Sequence, residues 1–227
     1  MLLCLLFLIT AGTAQAGLYD FSYTVGADIP DGNASGLGNQ QTVSDLPLVT
    51  RDVTVGINIS GGFNGDIYGY IKHNNTLVML LDRVGTTSAD HFGYDDTGFN
   101  VTLSDHATQI PTIHLYQQDA SYPSSLNGSG QLTGTWRPDG GSLISFNNAN
   151  PNGTWTIFFA DLSAGGGQSK LEGWSLHFNA EVPEPVNVAL GIFAGAFLIG
   201  SCCRTEWARR LFCCRRVSSV SPTSNRA

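Results

Sequence analysis

The chain has 227 residues, of which 42% are hydrophobic and 13% charged, and its formal net charge is −7. Because nucleic acids are bound through a basic face, this acidic balance excludes DNA and RNA as partners. The five cysteines are Cys4, Cys202, Cys203, Cys213 and Cys214. They all lie near the two ends, so the long stretch between them has no disulfide framework and no thiolate metal site.

An apolar stretch opens the chain, from Leu2 to Thr10. Ala14-Gln15-Ala16 follows it and fits the small-x-small pattern of a signal-peptide cleavage site. The basic residues that usually precede such a stretch are missing, since the first Lys or Arg is Arg51. We expect residues 1–16 to be a signal peptide and the exported chain to begin near Gly17.

Short apolar runs separated by Gly- and Asn-rich turns fill the middle of the chain, and none shows a helical period. The run 53–59 alternates apolar and small or polar residues, which predicts a strand with one buried face. The run 77–81 is apolar throughout, which predicts a central strand buried on both faces. Further strands are predicted at 67–71, 99–103, 154–160 and 174–178. About eight or nine short strands of this kind predict an all-β fold, a β-sandwich or jelly roll.

Turns and tryptophans support the same fold. In Asn150-Pro151-Asn152-Gly153, proline fixes one φ angle and Asn-Gly supplies the positive φ of a tight turn. Trp155 and Trp174 lie within predicted strands, so we expect them to anchor the core. Trp136 stands beside a turn and is the better candidate for exposure, although packing is favoured there too.

The order of the motifs resembles the P domain of proprotein convertases, the β-sandwich that follows the catalytic domain of kexin- and furin-type proteases. The similarity spans about residues 27–179, and its most specific parts are Asn150-Pro151-Asn152-Gly153-Thr154-Trp155 and Gly173-Trp174-Ser175-Leu176. It also includes the following segments: Ile29-Pro30-Asp31, 53–59, 63–67, 76–85, 134–139 and 143–147. The resemblance implies a stand-alone module over residues 17–181. The stretch 93–130 is the least typical part.

Fragments of enzyme motifs occur singly. Gly85-Thr86-Thr87-Ser88-Ala89 is superficially like the serine segment of subtilases, but the other segments of such a domain are absent. Asp96-Thr97-Gly98 is the string of aspartic proteases, whose mechanism needs two carboxylates, and it occurs once. The histidines show no HExxH or HxH spacing. The sequence therefore predicts no catalytic site.

Acidic residues are concentrated in the irregular stretch. Asp90, Asp95, Asp96 and Asp105 lie within sixteen residues of one another, in a Gly-containing segment. Carboxylate and carbonyl oxygens are the ligands that Ca²⁺ prefers. The sequence predicts these four as candidate Ca²⁺ ligands, with Asp66 and Asp82 as the next candidates. The alternative is that each aspartate caps a turn of its own backbone.

The C-terminal region has three parts. Pro183-Glu184-Pro185 is followed by an uncharged apolar run at 186–203 and by a tail at 204–227 with six arginines. The run is long enough to predict a transmembrane helix, and the arginines predict a cytoplasmic tail. The three parts resemble the PEP-CTERM sorting signal of Gram-negative bacteria. That resemblance implies cleavage by an exosortase-type membrane protease and a link with exopolysaccharide.

Three functions remain open at this point. The first is a non-catalytic β-sandwich module that is exported, held in the membrane at first, and then located at the cell surface or in the extracellular matrix. The second is an accessory module that binds or stabilises a separate exported subtilisin-like protease. The third is a glycan hydrolase whose site the known motifs do not reveal.

Overall fold

A computed structural model describes residues 15–106, 111–118 and 124–182. The first fourteen residues of the predicted signal peptide lie outside the described residues, as do Pro183, Glu184 and Pro185, the predicted span 186–203 and the tail 204–227. Within the described part, no helix is long and apolar enough to cross a membrane.

The described residues form ten strands and three short 3-10 helices. The strands are β1 Gln15–Ile29, β2 Leu37–Val43, β3 Thr50–Ser60, β4 Ile67–His73, β5 Thr76–Asp82, β6 Gly98–Leu103, β7 Ser125–Leu126, β8 Leu132–Trp136, β9 Gly153–Asp161 and β10 Ser169–Val182. The 3-10 helices are Asn64–Asp66, Ile113–Leu115 and Leu143–Phe146. The chain is therefore mostly β, as the sequence predicted.

The strands form two sheets. The large sheet has the order β1-β10-β3-β6-β8-β7, and the small sheet has the order β2-β9-β4-β5. The neighbouring strands are antiparallel, apart from the parallel pair β6 and β8. Since the connection between two parallel strands has to cross over, the long irregular stretch of the sequence falls between β6 and β8.

The core lies between the two sheets. On β3 the apolar residues of the alternating run are all buried, namely Val53, Val55, Ile57 and Ile59. The rings of Trp155, on the small sheet, and Phe178, on the large sheet, lie 5.3 Å apart in an edge-to-face contact. Trp174 and Trp136 are also buried, so the tryptophans of the strands are core residues, and Trp136 is only 2% exposed.

One expectation about the strands is wrong. The run at 77–81 belongs to β5, which is an edge strand of the small sheet, and Leu77 is 51% exposed. Val78, Leu80 and Leu81 are buried because a loop covers the edge: the N–H of Asp139 donates to the carbonyl of Leu80, at 3.1 Å. The large sheet also begins before residue 27, since β1 pairs with β10 from Gln15 onward.

Candidate functional site

A depression of about 530 Å³ crosses the outer face of the large sheet, and we call it the outer trough. It runs over five strands, from β1 through β10, β3 and β6 to β8. Its lining residues are Ser22, Tyr23, Thr24, Gly56, Ile57, Asn58, Asn100, Val101, Thr102, Gly134, Thr135, Gly173, Trp174 and Ser175. Because side chains of a strand alternate between the two faces, every second residue here projects outward.

The strand register places the outward residues in two rows. One row is Ser22, Ser175, Gly56, Thr102 and Thr135, and the other is Thr24, Gly173, Asn58 and Asn100. The rows are two residues apart along each strand, which is roughly 7 Å. The residues between them turn inward to the core, so the two rows form the walls of the outer trough.

Two glycines open the centre of the trough. Gly56 is the pairing partner of Ser175, and Gly173 is the partner of Asn58. A Cβ on Gly56 would collide with the hydroxyl of Ser175. Ser175 and Asn58 therefore lie diagonally opposite each other, with the Ser175 hydroxyl over Gly56 and the carbonyl of Tyr23 close to Gly173.

The Ser175 hydroxyl is held by a chain of hydrogen bonds. Its Oγ lies 3.0 Å from Nε2 of His177, and Nδ1 of His177 lies 2.6 Å from Oδ1 of Asp20 on the neighbouring strand. In the neutral ring, Nδ1–H donates to Asp20 and Nε2 accepts from Ser175. The lone pairs of the Ser175 oxygen then remain available to accept a hydrogen bond from a ligand.

This Ser-His-Asp order is also that of a hydrolase triad, but such an enzyme also needs donors for the oxyanion of the intermediate. Ser175 lies in the middle of β10, which is paired with β1 on one side and β3 on the other. The N–H groups of a strand paired on both sides are used by the sheet. The backbone N–H groups of β10 around Ser175 are therefore engaged in the sheet.

Asn58 is fixed from the side of the sheet. The side chain of Gln131 is buried, with the residue 8% exposed, and its Nε2 donates to Oδ1 of Asn58 at 2.9 Å and to the carbonyl of Ile59 at 2.8 Å. The bond from Gln131 identifies the oxygen of the Asn58 amide. Its NH₂ group is the part left to donate to a ligand.

The lining of the outer trough contains no charged side chain. Beyond the two rows, three acidic side chains each contact a histidine or a lysine: Asp20 contacts His177, Asp52 pairs with His106 at 2.8 Å, and Glu172 pairs with Lys170 at 3.0 Å. A lining without a cationic side chain disfavours polyanions.

The four predicted Ca²⁺ ligands are mostly engaged with protein groups. Oδ1 of Asp90 accepts from the N–H of Phe92, and Oδ2 of Asp96 accepts from the Tyr116 hydroxyl at 2.9 Å. Oδ2 of Asp105 accepts from the hydroxyl of Ser142 and the N–H of Ile144, more than thirty residues further along. Asp95 is exposed. Within the described residues, no three acidic, histidine or cysteine side chains are grouped to hold a metal, and Ca²⁺ binding stays a prediction.

The next candidate Ca²⁺ ligands, Asp66 and Asp82, also have separate partners. Asp66 and Asp161 are buried, and burial raises the pKa of both, with their mutual repulsion raising that of Asp66 further. The guanidinium of Arg83 lies 3.8 Å from Asp66, and the Ser169 hydroxyl donates to Asp161 at 2.9 Å. Asp82 instead donates its N–H to the carboxylate of Asp139. These contacts tie loops together at one end of the sandwich.

Sequence reasoning missed the outer trough. The signal was present in the outward positions of the predicted strands, where Gly56, Asn58, Asn100, Thr102 and Ser175 are all small or uncharged. Finding the site also requires the register of the strands, which brings these residues together. Ser22 and Thr24 come from β1, a strand that was not predicted.

Comparisons with known proteins give distant matches. No family model matches the chain, and no curated protein matches it. A serine protease of Aeromonas sobria matches with 14% identity over 76% of this chain and 28% of its own, at a TM-score of 0.45. The complex of that protease with a chaperone matches with 14% identity over 73% of this chain and 27% of the other, at a TM-score of 0.44. This chain spans little more than a quarter of those chains, and the likeness is too distant to carry an inference.

Proposed function

We propose that the chain is a non-catalytic, exported β-sandwich module that binds a ligand outside the cell through the outer trough. The observation that carries this proposal is an uncharged trough whose Ser175 and Asn58 are oriented by other side chains. Oriented polar groups in an open depression suit recognition. The sheet-bound N–H groups around Ser175 supply no stabilisation for an acyl-transfer intermediate.

The location belongs to the same proposal. The signal-like start and the Pro183-Glu184-Pro185 tail support export, a first anchorage in the membrane through 186–203, and exosortase-type cleavage. The module would then act at the surface or in the matrix of a Gram-negative bacterium, in association with exopolysaccharide. The acidic charge of the module is consistent with a protein that stays soluble outside the cell.

Mass spectrometry of envelope and secreted fractions tests the location. We expect chains ending near residues 183–185 in the outer fractions and loss of that species when Pro183, Glu184 and Pro185 are deleted. Full-length chain alone, with the same fate after the deletion, would remove the sorting signal and leave a plain membrane anchor.

A second candidate function is that of an accessory module for a separate exported subtilisin-like protease, which the P-domain resemblance suggests. One surface favours it. Phe63, Phe92 and Leu162 are exposed apolar residues, and Phe92 is 78% exposed. All three flank the 3-10 helix Asn64–Asp66, since Leu162 donates its N–H to the Asp66 carbonyl and the Phe92 carbonyl lies against Gly65.

Co-purification from the native envelope tests this second function. The expected result is capture of a subtilisin-like protease by the wild type, and loss of capture by Phe92→Ser. Leu18→Ser is the matched control, because Leu18 is equally exposed but lies on β1. Equal capture by both variants would exclude this surface as the docking site.

A further inference from the structure

We propose that the outer trough binds an uncharged polysaccharide chain that lies across the strands of the large sheet. This inference rests on the proposed function, since it names the ligand of the same site. It is drawn from the shape of the trough, its hydrogen-bonding groups and its charge.

The shape suits a polymer. The trough crosses five neighbouring strands, which are four spacings of about 4.8 Å, so it is roughly 19 Å long. Pockets for small molecules enclose most of the ligand surface. This trough is instead a shallow channel on a sheet face, which fits a chain that enters at one end and leaves at the other.

The polar groups suit sugar hydroxyls. Ser175 presents acceptor lone pairs because its proton is directed to His177, and Asn58 presents an NH₂ donor because its oxygen is bound by Gln131. A hydroxyl both donates and accepts, so two neighbouring hydroxyls on a sugar ring complement this pair. More hydroxyl groups line the two walls: those of Ser22, Thr102 and Thr135 in one row and that of Thr24 in the other.

Both groups are pre-organised. The hydrogen-bond chain from Asp20 through His177 orients the Ser175 hydroxyl, and the buried amide of Gln131 orients the Asn58 amide. Side chains held in their bound orientation lose little conformational entropy when a ligand arrives. A merely solvated sheet face has no need of such supporting contacts on both sides of one open space.

Other polymers fit less well. The lining of the trough has no Lys or Arg, which sulfated, phosphorylated or carboxylated chains would need. An extended peptide binds to a sheet edge by adding a strand. The trough lies on the face of the sheet, and β10, β3 and β6, which form its middle, are already paired on both sides, so their ladder groups are occupied.

Gly56→Val is the decisive variant. Its side chain would enter the centre of the trough and displace the Ser175 hydroxyl, which lies where the new Cβ would stand. Gly56 has no positive φ, and valine is well suited to a strand, so the fold should be retained. Gly38→Val is the matched control, since Gly38 has no positive φ, open space around it, and a place on β2 of the small sheet.

The experiment is affinity electrophoresis of the full-length protein in native gels, in a detergent without a sugar head group. The gels contain dextran, galactomannan, hydroxyethyl cellulose or dextran sulfate, the last being a charged form of the first. We expect at least one uncharged polymer to retard the wild type and Gly38→Val. The apparent Kd of Gly56→Val should be higher by about tenfold or more. Asn58→Asp, which keeps the acceptor for Gln131 but removes the NH₂ donor, should also weaken binding.

Three results would overturn the inference: no retardation by any uncharged polymer, retardation by dextran sulfate alone, or unchanged binding by a folded Gly56→Val. Near-ultraviolet circular dichroism of each variant reports whether it is folded, and Asn58→Asp provides the second test if Gly56→Val is not. Failure here, with chains still found in the outer fractions, would remove the ligand and leave the exported module in place.

Discussion

Trp155 is the residue with the largest set of ring contacts in the core. Its ring stacks on His73 at 4.3 Å, meets Phe146 at 4.9 Å and Phe178 at 5.3 Å, and its Nε1 donates to the carbonyl of Pro151 at 2.8 Å. We expect Trp155→Ala to lower the free energy of unfolding by about 3–5 kcal/mol, because it empties a large buried site and leaves that carbonyl without its donor.

Urea unfolding monitored by circular dichroism measures the loss. Tyr70→Ala is the control, because Tyr70 stacks on Phe158 across the partly exposed outer face of the small sheet. It should cost clearly less. Similar small losses for both variants would mean that Trp155 does not anchor the core.

His114 is the residue from which we expect a pH dependence. Its Nδ1 lies 2.9 Å from Oδ2 of Asp139, and its Nε2 lies 2.9 Å from the carbonyl of Thr86. Burial acts to lower the pKa of His114, but these two acceptors outweigh it, so the pKa is raised. A raised pKa means that the folded state holds the proton more tightly than the unfolded chain.

The stabilisation is therefore fully present below the unfolded pKa of about 6.5 and is lost as the pH rises through the folded pKa. We expect His114→Gln to lower the melting temperature more at pH 5.5 than at pH 9. His106→Gln is the control, since His106 forms an exposed pair with Asp52 that solvent screens. An equal decrease for His114→Gln at both pH values would contradict a proton-linked role.

At the scale of elements, β1 decides where the folded module begins. It pairs with β10 at thirteen positions, and it supplies Tyr23, whose ring lies 4.8 Å from Trp174, and Phe21, which lies 5.9 Å from Phe178. Deletion of residues 17–26 should therefore expose the inner side of β10 and remove much of a stability that totals about 5–15 kcal/mol in a typical domain.

Limited proteolysis and thermal melting of the full-length protein and of this deletion measure the effect. Leu18→Ser is the control within β1, because an exposed side chain on an edge strand contributes little. A deletion that melts like the wild type would show that the folded module does not need this part of β1.

The strands that the sequence predicted are those with a local signal. The alternating run of β3 and the apolar runs of β5 and β9 identify strands because one face must be buried. The local pattern could not tell that β5 is an edge strand, since Leu80 and Leu81 are covered by the loop after β8 and not by a neighbouring strand. β1 carries the same alternating signal, with Tyr19, Phe21, Tyr23 and Val25 on one face, and it was missed because it adjoins the signal-like start.

The candidate site was the least predictable feature, because it depends on register. Ser175, Gly56 and Thr102 lie in one row only because β10, β3 and β6 pair in a particular alignment. The small residues that face outward determine neither how these strands are aligned nor which strands are neighbours. The acidic loop shows the reverse case, since Asp90 and Asp105 are close in sequence but bind different parts of the fold.

For the whole molecule, net charge sets the last expectation. Residues 17–185 contain five basic and seventeen acidic residues, a formal charge of −12. Charges of one sign repel one another in the compact state, and at 0.1 M salt that repulsion is largely screened beyond about 10 Å. We expect the melting temperature to rise with NaCl.

Comparing CaCl₂ with NaCl at equal ionic strength separates this screening from a Ca²⁺ site. If Ca²⁺ binds among Asp90, Asp95, Asp96 and Asp105, Ca²⁺ at 100 times its Kd adds about 2.7 kcal/mol of stability beyond screening. Asp95→Asn/Asp96→Asn should remove that addition while keeping most of the NaCl effect. Identical melting in the two salts would discard the Ca²⁺ site. An addition that survives the double substitution would move the site to Asp66 and Asp161, whose repulsion a cation would also relieve.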